Sequence, residues 1–159
     1  MPLEIERKFL VRNNHWRALV TKSVHFCQGY LCRDEEKTIR VRVAGNQAFI
    51  TLKAQSNAPG REEFEYPIPP EDAHYMLKHF CGKLIVEKIR HYVPWEEFIW
   101  EIDEFQGQNA GLVLAEVELS NWSQVVPLPE WIGEEVTHQE RYYNVNLAYH
   151  PYGKWQELT

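Results

Sequence analysis

Cysteine is scarce in this chain of 159 residues: Cys27, Cys32 and Cys81 are an odd count without C-x-x-C spacing. That excludes an even disulfide framework and points to reduced thiols of the cytosol. Long apolar runs are missing too, so no membrane span is expected, and the acidic start Met1-Pro2-Leu3-Glu4-Ile5-Glu6 is unlike a signal peptide. A cytoplasmic protein with no membrane partner follows as the expectation. No G-x-S-x-G, Walker A or G-x-G-x-x-G segment occurs. The seven histidines show no metal-ligand pattern; His74 and His79 share a helix but not i, i+4 spacing. No repeat, low-complexity stretch or linker divides the sequence, which is read as one domain over 1–159. The net charge of -6 argues against a surface devoted to nucleic acid and leaves room for a local basic pocket. Oligomeric state is not written in the sequence.

What is present is alternation of period two, the signature of strands. It runs through Leu3-Ile5-Phe9, Ile39-Val41-Val43, Phe49 to Lys53 after a hairpin turn at Gly45-Asn46, Arg61 to Tyr66, and Leu84 to Arg90. It continues after a turn near Pro94–Glu97 from Phe98 to Phe105, then from Gly111 to Leu119, with a shorter strand at Cys27–Cys32. Helical spacing of Ala73, Met76, Leu77 and Phe80, opened by Pro69-Pro70 and closed by Gly82, predicts a helix over 71–81. Further helical patches are expected near 14–21, near 129–133 and after Thr137. The fold class is therefore mainly β with flanking helices (α+β). About eight hairpin-linked strands is the number that closes into a small antiparallel barrel, and a closed eight-stranded β-barrel is the expectation.

The polar face of these strands is charged throughout. One parity collects Glu4, Glu6 and Lys8; Arg40 and Arg42; Lys53; Arg61, Glu63 and Glu65; Lys88 and Arg90; Asp103; and Glu116 and Glu118. An open sheet with a solvated, salt-bridged face would carry such a pattern. However, Glu4-x-Glu6 and Glu116-x-Glu118 set like charges on one strand face, an arrangement that calls for a cation. Arg40-x-Arg42 and Lys88-x-Arg90 call for an anion by the same reasoning. A polyanion bound together with divalent metal ions would satisfy both signs, with Arg suited to phosphoryl oxygens and carboxylates to hard cations.

At Glu4-Ile5-Glu6-Arg7-Lys8 the sequence resembles the triphosphate tunnel metalloenzymes, or CYTH superfamily, whose signature is an N-terminal E-x-E-x-K. The resemblance extends in order through Thr38–Arg42, Thr51–Lys53, Arg61–Glu65, Glu87–Arg90, Glu101–Phe105 and Glu116–Glu118, and on through Val136–His138 and Arg141–Asn144. It covers nearly the whole chain and is most like the short bacterial inorganic triphosphatases. It implies an eight-stranded tunnel, a small-molecule triphosphate substrate and Mg²⁺ or Mn²⁺. By the same resemblance Glu4, Glu6, Asp103, Glu116 and Glu118 are the metal ligands. Lys8, Arg40, Arg42, Lys53, Arg61, Lys88 and Arg90 hold phosphate, and Lys8, Asp103 and Glu116 take part in catalysis. Structural ion pairing competes with a ligand role for Glu63, Glu65 and Glu101. Arg61 lies beside the loop Asn57–Gly60, where exposure is as reasonable as a phosphate contact. Tyr30 is on the same face and is read as a packed aromatic. The implied reaction is hydrolysis of inorganic triphosphate to diphosphate and phosphate; class IV adenylate cyclase and thiamine triphosphatase are the alternatives within the superfamily, and a noncatalytic polyphosphate binder lies outside it.

Overall fold

The computed structural model describes residues 5–33, 37–54 and 62–158. Nine antiparallel strands form one sheet: β1 (Glu6–Val11), β2 (Lys22–Arg33), β3 (Lys37–Ala44), β4 (Gln47–Ala54), β5 (Glu62–Pro67), β6 (Ile85–Trp95), β7 (Phe98–Phe105), β8 (Val113–Glu118) and β9 (Ile132–Glu135). The spatial order is β5-β4-β3-β2-β6-β7-β8-β1-β9.

Two expectations are corrected here. The sheet has nine strands rather than eight, and it is open, with β5 and β9 as its edges among the described residues. Closure through β1 is blocked because β8 and β9 already take its two sides. The segment read as helical near 129–133 instead ends in strand β9. Its register on β1 shifts between Phe9 and Val11, and the forked pair of Arg7 with Glu135, 3.0 and 2.8 Å, fastens it. Among the described residues no helix is long and apolar enough to cross a membrane.

Local chemistry explains the turns. Ala44 pairs with Gln47 across a two-residue loop in which Gly45 takes φ 60, the position that hairpins of this length reserve for glycine. The β6–β7 turn uses Glu96 at φ 55 without that advantage.

Alternation then sorts the side chains by face. On the convex face Phe9, Val93, Trp100, Ile102, Ala115 and Val117 pack under Trp16, Val126 and Trp131, which the segments 12–20 and 119–132 lay over the sheet. Helix α1 (Pro70–His79) covers the convex side of β2–β4, burying Ala73 and Leu77. Glu71 and Asp72 in its first turn and Lys78 and His79 in its last complement the helix dipole. On the concave face Val86, Phe105 and Leu114 meet Leu147 and Ala148 of α2 (Asn144–Tyr149), so one end of that face is filled by apolar packing. The other end keeps the charges. The expected helices near 14–21 and after Thr137 appear as a 3-10 turn at His15–Leu19 and as α2 with 3-10 turns at Glu140–Tyr142 and Tyr152–Leu158.

Gly29 marks the tightest approach of α1's exit to the sheet. A β-carbon there would stand 2.7 Å from the Cys81 sulfur and 2.8 Å from Ile85 Cδ1. Gly29→Ala is therefore expected to lower the unfolding free energy by about 1–3 kcal/mol through overpacking, read as an earlier urea midpoint at unchanged slope.

Candidate active site

On a flat sheet, β5 and β1 would lie about 34 Å apart, seven strand spacings of about 4.8 Å. Yet Glu63 and Glu65 of β5 and Glu6 and Lys8 of β1 line one cavity of about 590 Å³. The sheet therefore curls into a trough with its charged face inside, and the cavity has the size of a small-ligand site.

Strand order sorts the charges into two banks. Lys53 of β4, Arg40 and Arg42 of β3 and Arg90 of β6 line the cavity on one side, with Glu63 and Glu65 of β5 at the outer margin of that side. Glu101 of β7, Glu116 and Glu118 of β8 and Glu6 of β1 line the other. The banks meet where β6 pairs with β7. There Arg90 donates to Asp103 at 2.8 and 2.9 Å and to Glu101 at 2.7 Å, and it stands 3.8 Å from Glu116. Burial opposes the Arg90 charge, but Asp103, Glu116 and Glu101 outweigh it and hold the guanidinium well above its ordinary pKa. Burial raises Glu101 despite Arg90, with Glu116 and Asp103 adding to the rise.

Lys8 is the one cation on the carboxylate side among the described lining residues. Its ammonium lies 3.3 Å from Glu116, donates to the Tyr142 carbonyl at 3.3 Å and sits 5.3 Å from the Tyr143 ring centroid. Burial would lower its pKa; Glu116 and Glu6 override that and raise it, so Lys8 stays protonated. Burial likewise pushes against ionised Glu116, yet Lys8 and Arg90 hold it below the ordinary carboxylate range.

Lys88 and Asp103 stand one layer behind the wall, both fully buried. Lys88 Nζ donates to Asp103 at 2.7 Å and to Asn144 Oδ1 at 3.1 Å. Burial disfavours the Asp103 charge, but Arg90 and Lys88 together hold the group well below the usual carboxylate range. Burial, helped by Arg90 and Arg42, pulls Lys88 down to about 7 against the pull of Asp103.

Within the cation bank, Arg42 is held by an uncharged neighbour. Arg42 Nε donates to Gln28 at 2.8 Å, and Gln28 donates in turn to the Tyr30 hydroxyl at 3.2 Å. Burial, then Arg40 and Arg90, lower Arg42 to about 9. Arg40 donates to Thr51 at 3.2 Å and lies 3.6 Å from Glu65, while its buried Nε finds no partner among the described residues.

An all-oxygen set fits a hard divalent ion. Glu6 and Glu118 are directly opposed on neighbouring strands, a like-charge pairing that costs stability without a cation between them. Glu116 lies on the same strand face. No preassembled cluster of three or more His, Cys, Asp or Glu ligands occurs among the described residues.

The cavity thus gathers Glu6, Lys8, Arg40, Arg42, Lys53, Arg90, Glu116 and Glu118 of the residues expected from sequence, with Lys88 and Asp103 behind them. Glu4 and Arg61 lie outside the described residues. Tyr30 lines the cavity while being buried. Sequence reading missed Thr38, Thr51, Trp122, Thr137, His138, Asn144 and Val145. Thr38 and Thr51 share the parity of the charged residues and were legible as lining positions. The others come from segments whose fold-back no local pattern announces.

A CYTH domain family model matches residues 2–152. A curated inorganic triphosphatase from Acetivibrio thermocellus is 43% identical over 157 residues, spanning 99% of this chain and 100% of the relative. Another from Nitrosomonas europaea is 35% identical over 149 residues, 91% of this chain and 96% of the relative. A crystal structure of an inorganic triphosphatase superposes with a TM-score of 0.67 at 32% identity, covering 93% of this chain and 95% of that one. A charged trough of this composition, on a chain matched from end to end, has one family reading: the chain belongs to the CYTH domain family.

Proposed function

We propose that the chain hydrolyses inorganic triphosphate to diphosphate and phosphate within the charged trough. The observation that carries this reading is one cavity with Lys53, Arg40, Arg42 and Arg90 on one side and Glu101, Glu116, Glu118 and Glu6 on the other, in a chain 43% and 35% identical to relatives named inorganic triphosphatase. A pure anion binder gains nothing from the carboxylate bank, whereas a metal-assisted phosphohydrolase needs both banks.

In this reading Arg40, Arg42, Lys53 and Arg90 bind and orient the phosphoryl oxygens, with Arg61 in support on sequence grounds. Glu6, Glu116 and Glu118, together with Glu4 by sequence, would hold Mg²⁺ or Mn²⁺. Bound there, the ion supplies Lewis acidity toward the phosphoryl oxygens. Lys8 keeps its proton and faces the developing negative charge from the carboxylate side. Asp103 holds Arg90 and Lys88 in place, and Lys88 supports the bank from behind. Water is the nucleophile. The curled sheet works as a tunnel, in the cytoplasm.

Purified protein incubated with tripolyphosphate, ATP and thiamine triphosphate, each with Mg²⁺ or Mn²⁺, tests this when the products are separated by chromatography. Rapid phosphate and diphosphate from tripolyphosphate are expected. Cyclic AMP with diphosphate from ATP, and no attack on tripolyphosphate, would replace the hydrolase with a cyclase.

A further inference from the structure

Strand β2 lies between the two cation strands, β3 and β6. On its concave face Phe26, Gln28 and Tyr30 are uncharged. Three cations nevertheless surround one residue of that face. The Phe26 ring centroid lies 4.8 Å from Arg42 Cζ, 4.9 Å from Arg90 Cζ and 5.6 Å from Lys88 Nζ. The register explains the convergence. Phe26 is directly opposite Lys88 on β6, and its neighbours Val24 and Gln28 are opposite Arg90 and Arg42, which places both arginines on its diagonals. The ring is buried, 5% exposed. A desolvated ring face attracts cations most strongly.

The three cations differ in what else holds them. Arg90 and Lys88 have Asp103. Arg42 is held by Gln28 and the ring, both neutral. A carboxylate at position 26 would also gather the cations, but it would consume the charge the ligand needs. A quadrupole gathers them and leaves that charge uncancelled.

We propose that Phe26 is a positioning residue for phosphate binding, whose ring draws Arg42, Arg90 and Lys88 together so that their charges act on one anion. This rests on the function proposed above. The ring touches no reacting atom; it acts through the three side chains.

Tripolyphosphate binding in the absence of divalent metal, measured calorimetrically, and KM and kcat with metal present are the readouts. Phe26→Leu keeps an apolar side chain and removes the quadrupole. It is expected to weaken affinity and raise KM by roughly five- to thirtyfold, with kcat at saturation nearly held, while Phe26→Tyr binds close to the wild type. A series with mono-, di- and trifluorophenylalanine at position 26 separates electrostatics from packing, because fluorine drains the ring face at almost constant volume. Affinity should fall stepwise with fluorine number while the fold is retained. Equal affinity along the fluorine series would overturn the proposal, even if Phe26→Leu fails to fold. A wild type that neither binds nor cleaves tripolyphosphate would instead overturn the function on which the proposal stands.

Discussion

Glu6→Gln combined with Glu118→Gln is expected to lower metal-dependent kcat/KM for tripolyphosphate by on the order of 10²-fold or more. The two carboxylates face each other across β1 and β8. In the wild type, Mg²⁺ or Mn²⁺ is expected to raise the thermal midpoint by binding the folded state alone. The double variant loses that rise. Steady-state kinetics paired with melting curves at increasing metal concentration measure both effects. Full activity and a retained metal-induced shift would remove Glu6 and Glu118 from the metal set.

Asp103→Asn gives the opposite pattern: the fold suffers first. Asp103 is fully buried between Lys88 and Arg90, and the amide leaves two cations without their shared counterion. Removing one partner from a buried ion pair costs about 3–5 kcal/mol, which for a chain of this length moves the midpoint by on the order of 10 °C. The acid limb carries a second signature. Burial works against the carboxylate, yet Arg90 and Lys88 hold its folded pKa below the unfolded value of about 3.9. Its stabilisation is therefore complete above about pH 4 and is lost as pH falls through the folded pKa. The variant lacks this group, so its stability should decline less steeply below about pH 4 than that of the wild type. Urea melts at a series of pH values decide it. Parallel pH profiles would show that Asp103 is not held by the cations.

Much of this was legible because strands announce their faces. The parity that links Glu6 to Lys8, Arg40 to Arg42 and Glu116 to Glu118 is a property of consecutive residues, and those residues line one cavity. Depth was not legible. Lys88 and Arg90 share a parity on one strand, yet Arg90 reaches the cavity and Lys88 is sealed beneath it. That difference comes from the stagger between strands and from Asn144, which arrives from 56 residues further along the chain. Phe26 falls outside the strand expected at Cys27–Cys32, and it and Gln28 gain their part only from the strands on either side. Strand β9 was hidden for a related reason. Ile132-Gly133-Glu134-Glu135 lacks alternation, and it is a strand because Arg7 and the backbone of β1 receive it. Closure into a barrel is likewise decided by which edges are already taken, and no stretch of sequence states that.

The apolar filling at one end of the concave face also sets the traffic through the site. Val86, Phe105 and Leu114 continue the same strand faces that carry Lys88, Asp103 and Glu116, and α2 is wedged against them. A linear anion sliding inward along the charged rows meets hydrocarbon and stops. At that end the floor of the trough is hydrocarbon, which offers phosphoryl oxygens no donor and sets how deep a linear anion can be held.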